Sequence, residues 1–187
     1  MGHIITLGTE RLTLRPFSIS DFNDLNEWLS LMEVRQYLNM DEGSEEAIRA
    51  WLELRLPHKE DMGISFMSWA ISPKGSYKVI GSIELWGTGV GRPAGEVGFA
   101  MNPNYQRQGI IQEAMQLVLD HCFYIWKLPR VQAVIAVDNL PSIKLVEKMG
   151  FIREGVLRSQ VQTQNYQGDA YIYSILPPEW QNNCFSS

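Results

Sequence analysis

Glu96-Val-Gly-Phe-Ala-Met-Asn-Pro-Asn-Tyr-Gln-Arg-Gln-Gly-Ile-Ile-Gln-Glu-Ala-Met115 is the stretch on which the fold turns. A short apolar strand breaks at Asn102-Pro103, and a helix starts at Gly109 with Ile111, Met115, Val118, Cys122 and Ile125 on one stripe, ending near Pro129. Strand, tight turn and helix in that order leave backbone N–H groups without intrahelical partners, and aligned peptide dipoles add roughly half a positive charge there. Such a helix head binds a phosphate-like anion without needing a basic side chain.

Upstream, residues 11–16 alternate as a strand, and Ser18 or Ser20 offers a cap to a helix carrying Phe22, Leu25, Trp28 and Leu29. Ser44 caps a second helix with Ile48, Trp51, Leu52 and Leu56 on its stripe, running to Pro57. Residues 66–71 and 79–85 read as an antiparallel hairpin turned by Ser72-Pro-Lys-Gly-Ser76. The glycines of residues 87–95 are spaced G-x-G-x-G with no helix behind them, which marks a hairpin loop and not a nucleotide fingerprint. Downstream, residues 131–137 form a β-branched run expected of a strand covered on both faces. Asn139 then caps a short helix, Pro141 fits its first turn and Gly150 stops it. Strands at 155–162 and 170–176, joined by a turn at 164–168, complete seven strands and four helices. At 187 residues this is one α/β domain spanning 1–187, with a core of about 9–180 and a tail, 182–187, expected to fray.

Composition narrows the function. The net charge is −5 and no block of Lys or Arg occurs, so a nucleic-acid backbone is poorly attracted; an acidic surface suits cationic partners such as amines. No apolar run approaches the roughly 20 residues of a membrane span. The first 15 residues lack a secretory layout, so cytoplasmic residence is expected. His3, His58 and His121 show no ligand spacing, and no metal is expected. Of the two cysteines, Cys122 sits in a helical pattern that implies a buried, inert thiol, and no disulfide is expected.

Gln106-Arg-Gln-Gly109-Ile-Ile111 is followed by Asn139-Leu-Pro-Ser142-Ile-Lys-Leu-Val-Glu-Lys-Met-Gly150-Phe151. Together these resemble the acetyl-CoA-binding core of the GNAT N-acetyltransferases. The opening Thr-Glu-Arg-Leu-Thr-Leu-Arg-Pro at 9–16, Gly155-Val-Leu-Arg158, Gly168-Asp169, Tyr173 and a closing Pro-Glu-Trp180 are similar to the RimJ/RimL-like branch, which acetylates α-amino groups of certain ribosomal proteins. The resemblance spans about residues 9–180. It implies an α/β (α+β) GNAT fold, a single mixed, mostly antiparallel sheet flanked by about four helices, and acetyl-CoA as cosubstrate.

In that family the segment matching Gln106, Arg107, Gln108, Gly109, Ile110 and Ile111 wraps a pyrophosphate with main-chain N–H groups. Ile111 stands where the family usually has Gly or Ala, and Arg107 where Gly is frequent; Arg107 could pair with a phosphate. From the loop alone Gly109 is equally a plain turn residue and Arg107 a solvated charge. The pantetheine arm of the family's cofactor lies between two splayed strands, which places it here against the main chain of Phe99 to Met101. Asn139 matches a residue whose amide reaches that arm, and it is also a helix N-cap.

For catalysis the resemblance implies a group for the leaving thiolate and a base for the amine. Many family members use a Tyr where this chain has Val146; RimL-like members use a serine matching Ser142, which is also a candidate second cap. The base position of that branch holds Val161, leaving Glu96, which is otherwise a strand-end carboxylate. The expected function is transfer of acetyl from acetyl-CoA to a primary amine, possible acceptors being a peptide N-terminus, a polyamine, an aminoglycoside or an amino acid. A non-catalytic acyl-CoA-binding module and a purely structural β-sheet protein stand as alternatives, and a homodimer is common in this branch.

Overall fold

Alternating runs of apolar residues can bury one face only by pairing, and here they pair into one sheet. The computed structural model describes residues 5–38, 40, 42–57, 66–87, 94–163 and 166–184, the last three as backbone. Its strands are β1 (Leu7–Gly8), β2 (Leu12–Arg15), β3 (Phe66–Pro73), β4 (Gly81–Trp86), β5 (Ala94–Met101), β6 (Arg130–Ala136), β7 (Ile152–Gln162) and β8 (Gln167–Ile175). They lie in the order β1-β2-β3-β4-β5-β6-β8-β7. All neighbours are antiparallel except β5 and β6. Among the described residues eight strands stand where seven were expected, because β1, two residues long, is too short to show a period.

The helices are α1 (Phe22–Leu29), α2 (Met32–Arg35), α3 (Glu45–Glu53), α4 (Ile110–Asp120), α5 (Leu140–Lys148) and α6 (Pro177–Cys184). Two go beyond the expected four: α2 is a single turn, and α6 carries the backbone to Cys184, into the segment expected to fray. Residues 185–187 lie outside the described residues, as do 88–93 of the glycine-rich loop and 164–165 of the turn before β8. Neither candidate serine caps α1 itself. Ser18 heads a 3-10 turn, Ile19–Asp21, and Asp21 receives both Arg15 guanidinium nitrogens at 2.8 and 2.9 Å. Ser44 does cap α3, its hydroxyl accepting from Ala47 N at 3.3 Å.

Two apolar clusters cover the two faces of the sheet. On one face α4, α5 and Trp180 of α6 pack against Leu12, Leu14, Trp69, Ile83, Val97 and Tyr173. On the other, Leu25, Trp28 and Leu29 of α1 and Ile48, Trp51 and Leu52 of α3 close over Ala70 and Ala100. The α4 stripe holds as far as Cys122, whose thiol burial pushes up to about 12. Ile125 leaves it and is 64% exposed, a departure from the expected stripe. After Asp120 the chain widens into a π turn, His121–Ile125, which rotates the following side chains off the 3.6-residue phase.

One irregularity positions the rest. β5 and β6 pair only through Ala94↔Arg130, Gly95↔Val131 and Glu96↔Gln132. Beyond that step, among the described residues, β5 bonds only to β4, and β6 only to β8. Two parallel strands that part in mid-sheet leave their facing edges unbonded from residue 97 and from residue 133 onward, opening a wedge toward their C-terminal ends.

Candidate functional site

Both loops at the mouth of the wedge come from the carboxyl ends of β5 and β6, where open α/β sheets leave crevices. After Met101 a 3-10 turn, Pro103–Tyr105, leads through Gln106 to Gly109, the N-cap of α4. Arg107 has φ 60° and Gly109 φ 75°. Two left-handed residues so close together bend the chain sharply ahead of α4, and turns of this kind aim N–H groups at a shared concavity. Among the described residues none supplies an acceptor to the backbone N–H groups of Arg107 through Gln112; the next donor along, Glu113 N, reaches Gly109 O at 3.0 Å. Six consecutive free donors at a helix head make a cradle for an anion. Ile111 does not fill it, because its side chain is half-buried and packs against the α4-face core. Ile110 is likewise turned into the core. Gln106, Arg107 and Gln108 are exposed, and Gln108 Nε2 makes only a 3.4 Å contact with Asn104 O.

Asn139, after β6, caps α5: its Oδ1 accepts from Ser142 N at 3.3 Å. That bond leaves Nδ2, an amide donor, without a described partner. Ser142 Oγ is half-buried and makes no capping bond among the described residues, so only the Asn139 side chain acts as the cap. The side chains of Phe99 and Met101 point into the α4-face core, so only their main chain faces the wedge. Val146 is fully buried on the core side of α5, and Val161 lies half-buried on β7 beside a bulge.

Glu96 differs from its expected place. β5 begins two residues earlier than the sequence suggests, so Glu96 is not a strand-end carboxylate but sits inside the strand, at the closed apex of the wedge. It is half-buried, and its Oε2 accepts from Gln132 Nε2 at 2.9 Å. Alternation puts it on the α1 and α3 face, whereas Ser142 belongs to α5 on the other. The structure therefore separates the two candidate catalytic side chains by a sheet face.

The α1 and α3 side of the wedge carries groups that motif reading missed. Trp86, opposite Glu96 on β4, lies so close over Gly98 that a Cβ there would stand 2.4 Å from the indole. The nearly buried Glu84 takes two bonds from Arg55, at 2.6 and 3.0 Å, and Arg55 stacks on Trp51 at 3.5 Å, tying the end of α3 to the sheet. Across the mouth, Tyr37 meets Tyr166 edge-on at 5.1 Å, and Tyr166 donates to Asp138 at 3.1 Å. Burial, and then that carboxylate, raise the Tyr166 phenol above its usual range. Apart from the Arg55–Trp51 stack, which lies within one helical turn, these contacts have no local signature, since they join residues of different elements. No group of three metal-ligating side chains comes together among the described residues, and none of the described helices is long and apolar enough to cross a membrane.

The model of the family described as Acetyltransferase (GNAT) domain matches residues 11–152. The chain is 29% identical over 172 residues to an uncharacterized N-acetyltransferase, YnaD, of Bacillus subtilis (strain 168), covering 92% of this chain and 97% of that one. A GNAT-family acetyltransferase from Bacillus anthracis superposes with a TM-score of 0.80 at 28% identity, over 93% of this chain and 99% of that one. Mycobacterium smegmatis RimJ, solved in complex with CoA-disulfide, shares the fold with a TM-score of 0.74 at 20% identity, over 94% and 89% of the two chains.

Proposed function

This chain is an N-acetyltransferase of the GNAT family, and from that premise we propose that it moves the acetyl group of acetyl-CoA to a primary amine, with a protein α-amino group as first candidate. The observation that carries the cosubstrate is the row of unbonded N–H groups from Arg107 to Gln112 at the mouth of a wedge whose strand edges are also unbonded. A diphosphate satisfies the first and an amide-bearing arm the second. Gln106 to Ile111 would hold the diphosphate, the main chain of Phe99 and Met101 the arm, and the Asn139 amide its polar groups. The RimJ complex with CoA-disulfide adds support by analogy.

Bound there, acetyl-CoA supplies an activated thioester: a C–N bond to the amine forms and the C–S bond breaks. Glu96 faces the α1 and α3 side, from which the amine enters, and takes its proton directly or through one water. Ser142, on the α5 side, hydrogen-bonds the departing sulfur with a hydroxyl that makes no other bond among the described residues. Confining both reactants to one wedge supplies much of the rate, so few side chains are required. The α-amino acceptor is supported by the order of motifs shared with RimJ/RimL-like proteins. Polyamines, aminoglycosides and amino acids form the alternative acceptor class.

A second reading, a non-catalytic acyl-CoA-binding module, is favoured by the apolar residues at 146 and 161. The deciding experiment incubates the purified protein with acetyl-CoA and a panel of N-terminal peptides, polyamines, aminoglycosides and amino acids, reading thiol release and acceptor mass. Turnover lost in Ser142→Ala with CoA binding intact supports the enzyme. Tight CoA binding without release on any acceptor replaces it with the module, and no CoA binding overturns both.

A further inference from the structure

Glu113 poses an electrostatic problem for the cradle. It stands in the first turn of α4, a carboxylate beside donors that, on the reading above, take a polyanion. The fold answers with a device from the other end of the chain. Thr9 donates its hydroxyl to Glu113 Oε1, while Arg11 binds Oε2 through Nη2 and through Nε, the latter at 2.8 Å. Thr9 is itself held: its N–H reaches Leu12 O at 3.0 Å, and its hydroxyl accepts from Arg11 N and Leu12 N at 3.1 and 2.9 Å. The tight turn between β1 and β2 thus presents two polar side chains to one distant carboxylate.

The two partners are unequally exposed. Glu113 is 17% exposed and Arg11 59%. Desolvation is the strongest influence on Glu113 and acts upward, yet the Thr9 hydroxyl and the Arg11 guanidinium together hold its carboxyl below the usual range. Arg11 Nη1 has no partner among the described residues, and Nη2 lies 3.9 Å from where a Cβ on Gly109 would stand. An open pocket of about 560 Å³ runs from Gly109 along Gln112 and Gln116, with Glu10, a second carboxylate, on its wall. Without Arg11, the cradle would face two uncompensated negative charges.

We propose that Arg11 is a positioning residue of the cofactor site, which, by neutralising Glu113, makes the head of α4 fit to bind the phosphates of coenzyme A. This rests on the assignment of coenzyme A to the cradle. A merely structural pin between β2 and α4 would behave differently, because removing either partner breaks a pin, whereas removing both restores a charge balance.

The test is calorimetric binding of coenzyme A and of pantetheine, which lacks the phosphates, to the full chain and three variants. Arg11→Gln is expected to weaken coenzyme A about tenfold at low salt, from like charges several ångströms apart in a largely aqueous site, and to leave pantetheine unchanged. Glu113→Gln binds coenzyme A at least as tightly as the parent, and this holds as a test even if Arg11→Gln does not fold. The double variant recovers to within about twofold of the parent, while its thermal stability stays low. Unchanged coenzyme A binding by Arg11→Gln, an equal loss for pantetheine, or no recovery in the double variant overturns the proposal. If the parent itself fails to bind coenzyme A, the cofactor assignment falls first and the role of Arg11 with it.

Discussion

Glu96 and Gln132 face each other at the last paired step between β5 and β6, Oε2 accepting from Nε2 at 2.9 Å. The contact closes the apex of the wedge and fixes one oxygen of a carboxylate that strand alternation puts on the α1 and α3 face. It turns Glu96 from a surface charge into an oriented group at the inner end of the site.

Glu96→Gln is therefore expected to lower kcat by 10²-fold or more while coenzyme A affinity stays within about twofold, as for loss of a general base. Gln132→Ala, which frees the carboxylate without removing it, should cost several-fold only. Steady-state acetyl transfer with saturating acetyl-CoA measures both. A kcat unchanged in Glu96→Gln would eliminate it as the base.

Gly109→Ala tests the cradle's backbone. The added Cβ would meet only Arg11 Nη2, at 3.9 Å, so crowding is slight and the cost comes from φ 75°. A left-handed non-glycine residue costs about 1–2 kcal/mol. The variant should melt several degrees lower and gain less stabilisation from coenzyme A than the parent. Thermal unfolding with and without the ligand gives both quantities.

Arg55→Met should destabilise by about 3–5 kcal/mol, since it strands the buried Glu84 carboxylate without its two charge-assisted bonds. Pairing it with Glu84→Leu should recover most of that loss. Urea unfolding of the three variants checks this, and a loss below about 1 kcal/mol in the single variant would mean that water reaches Glu84.

Acid stability should carry a signature of Glu154. Hydrogen bonds from Arg130 and from Ser174 hold its carboxyl down at about 2, against an ordinary 4.5. A depressed carboxyl contributes stability that is complete above the unfolded value and is lost as pH falls through the folded one. The parent should therefore exceed Glu154→Gln in urea midpoint above about pH 4.5, the difference shrinking between pH 4.5 and 2. Its partial exposure keeps the difference small. Midpoints compared from pH 2 to 7 decide it.

Much of the site was legible because it is local. Gly109 before an apolar stripe announces a helix head, and Asn139 ahead of Pro141 announces a cap. Both appear where expected, with Asn139 Oδ1 on Ser142 N. Ile111 could be placed only in the fold, where its branched side chain packs against the core. Ser18 was misread because a 3-10 turn comes before α1, and Ile125 because a π turn has no letter of its own. The Thr9, Arg11 and Glu113 cluster was invisible, although its first two members lie within a motif that resembles the family.

Read alone, the chain determined seven of the strands, four of the helices, the Ser44 and Asn139 caps and the head of α4, since these depend on propensities and spacings within a few residues. It also carried, through motif order, the resemblance to an acyltransferase family. Only the tertiary structure decided where β5 and β6 part, which face Glu96 and Ser142 each occupy, and which charge sits beside the donors of α4. Those are relations between residues 36 to 102 positions apart, set by strand register and by packing on two sheet faces, and no local pattern encodes them.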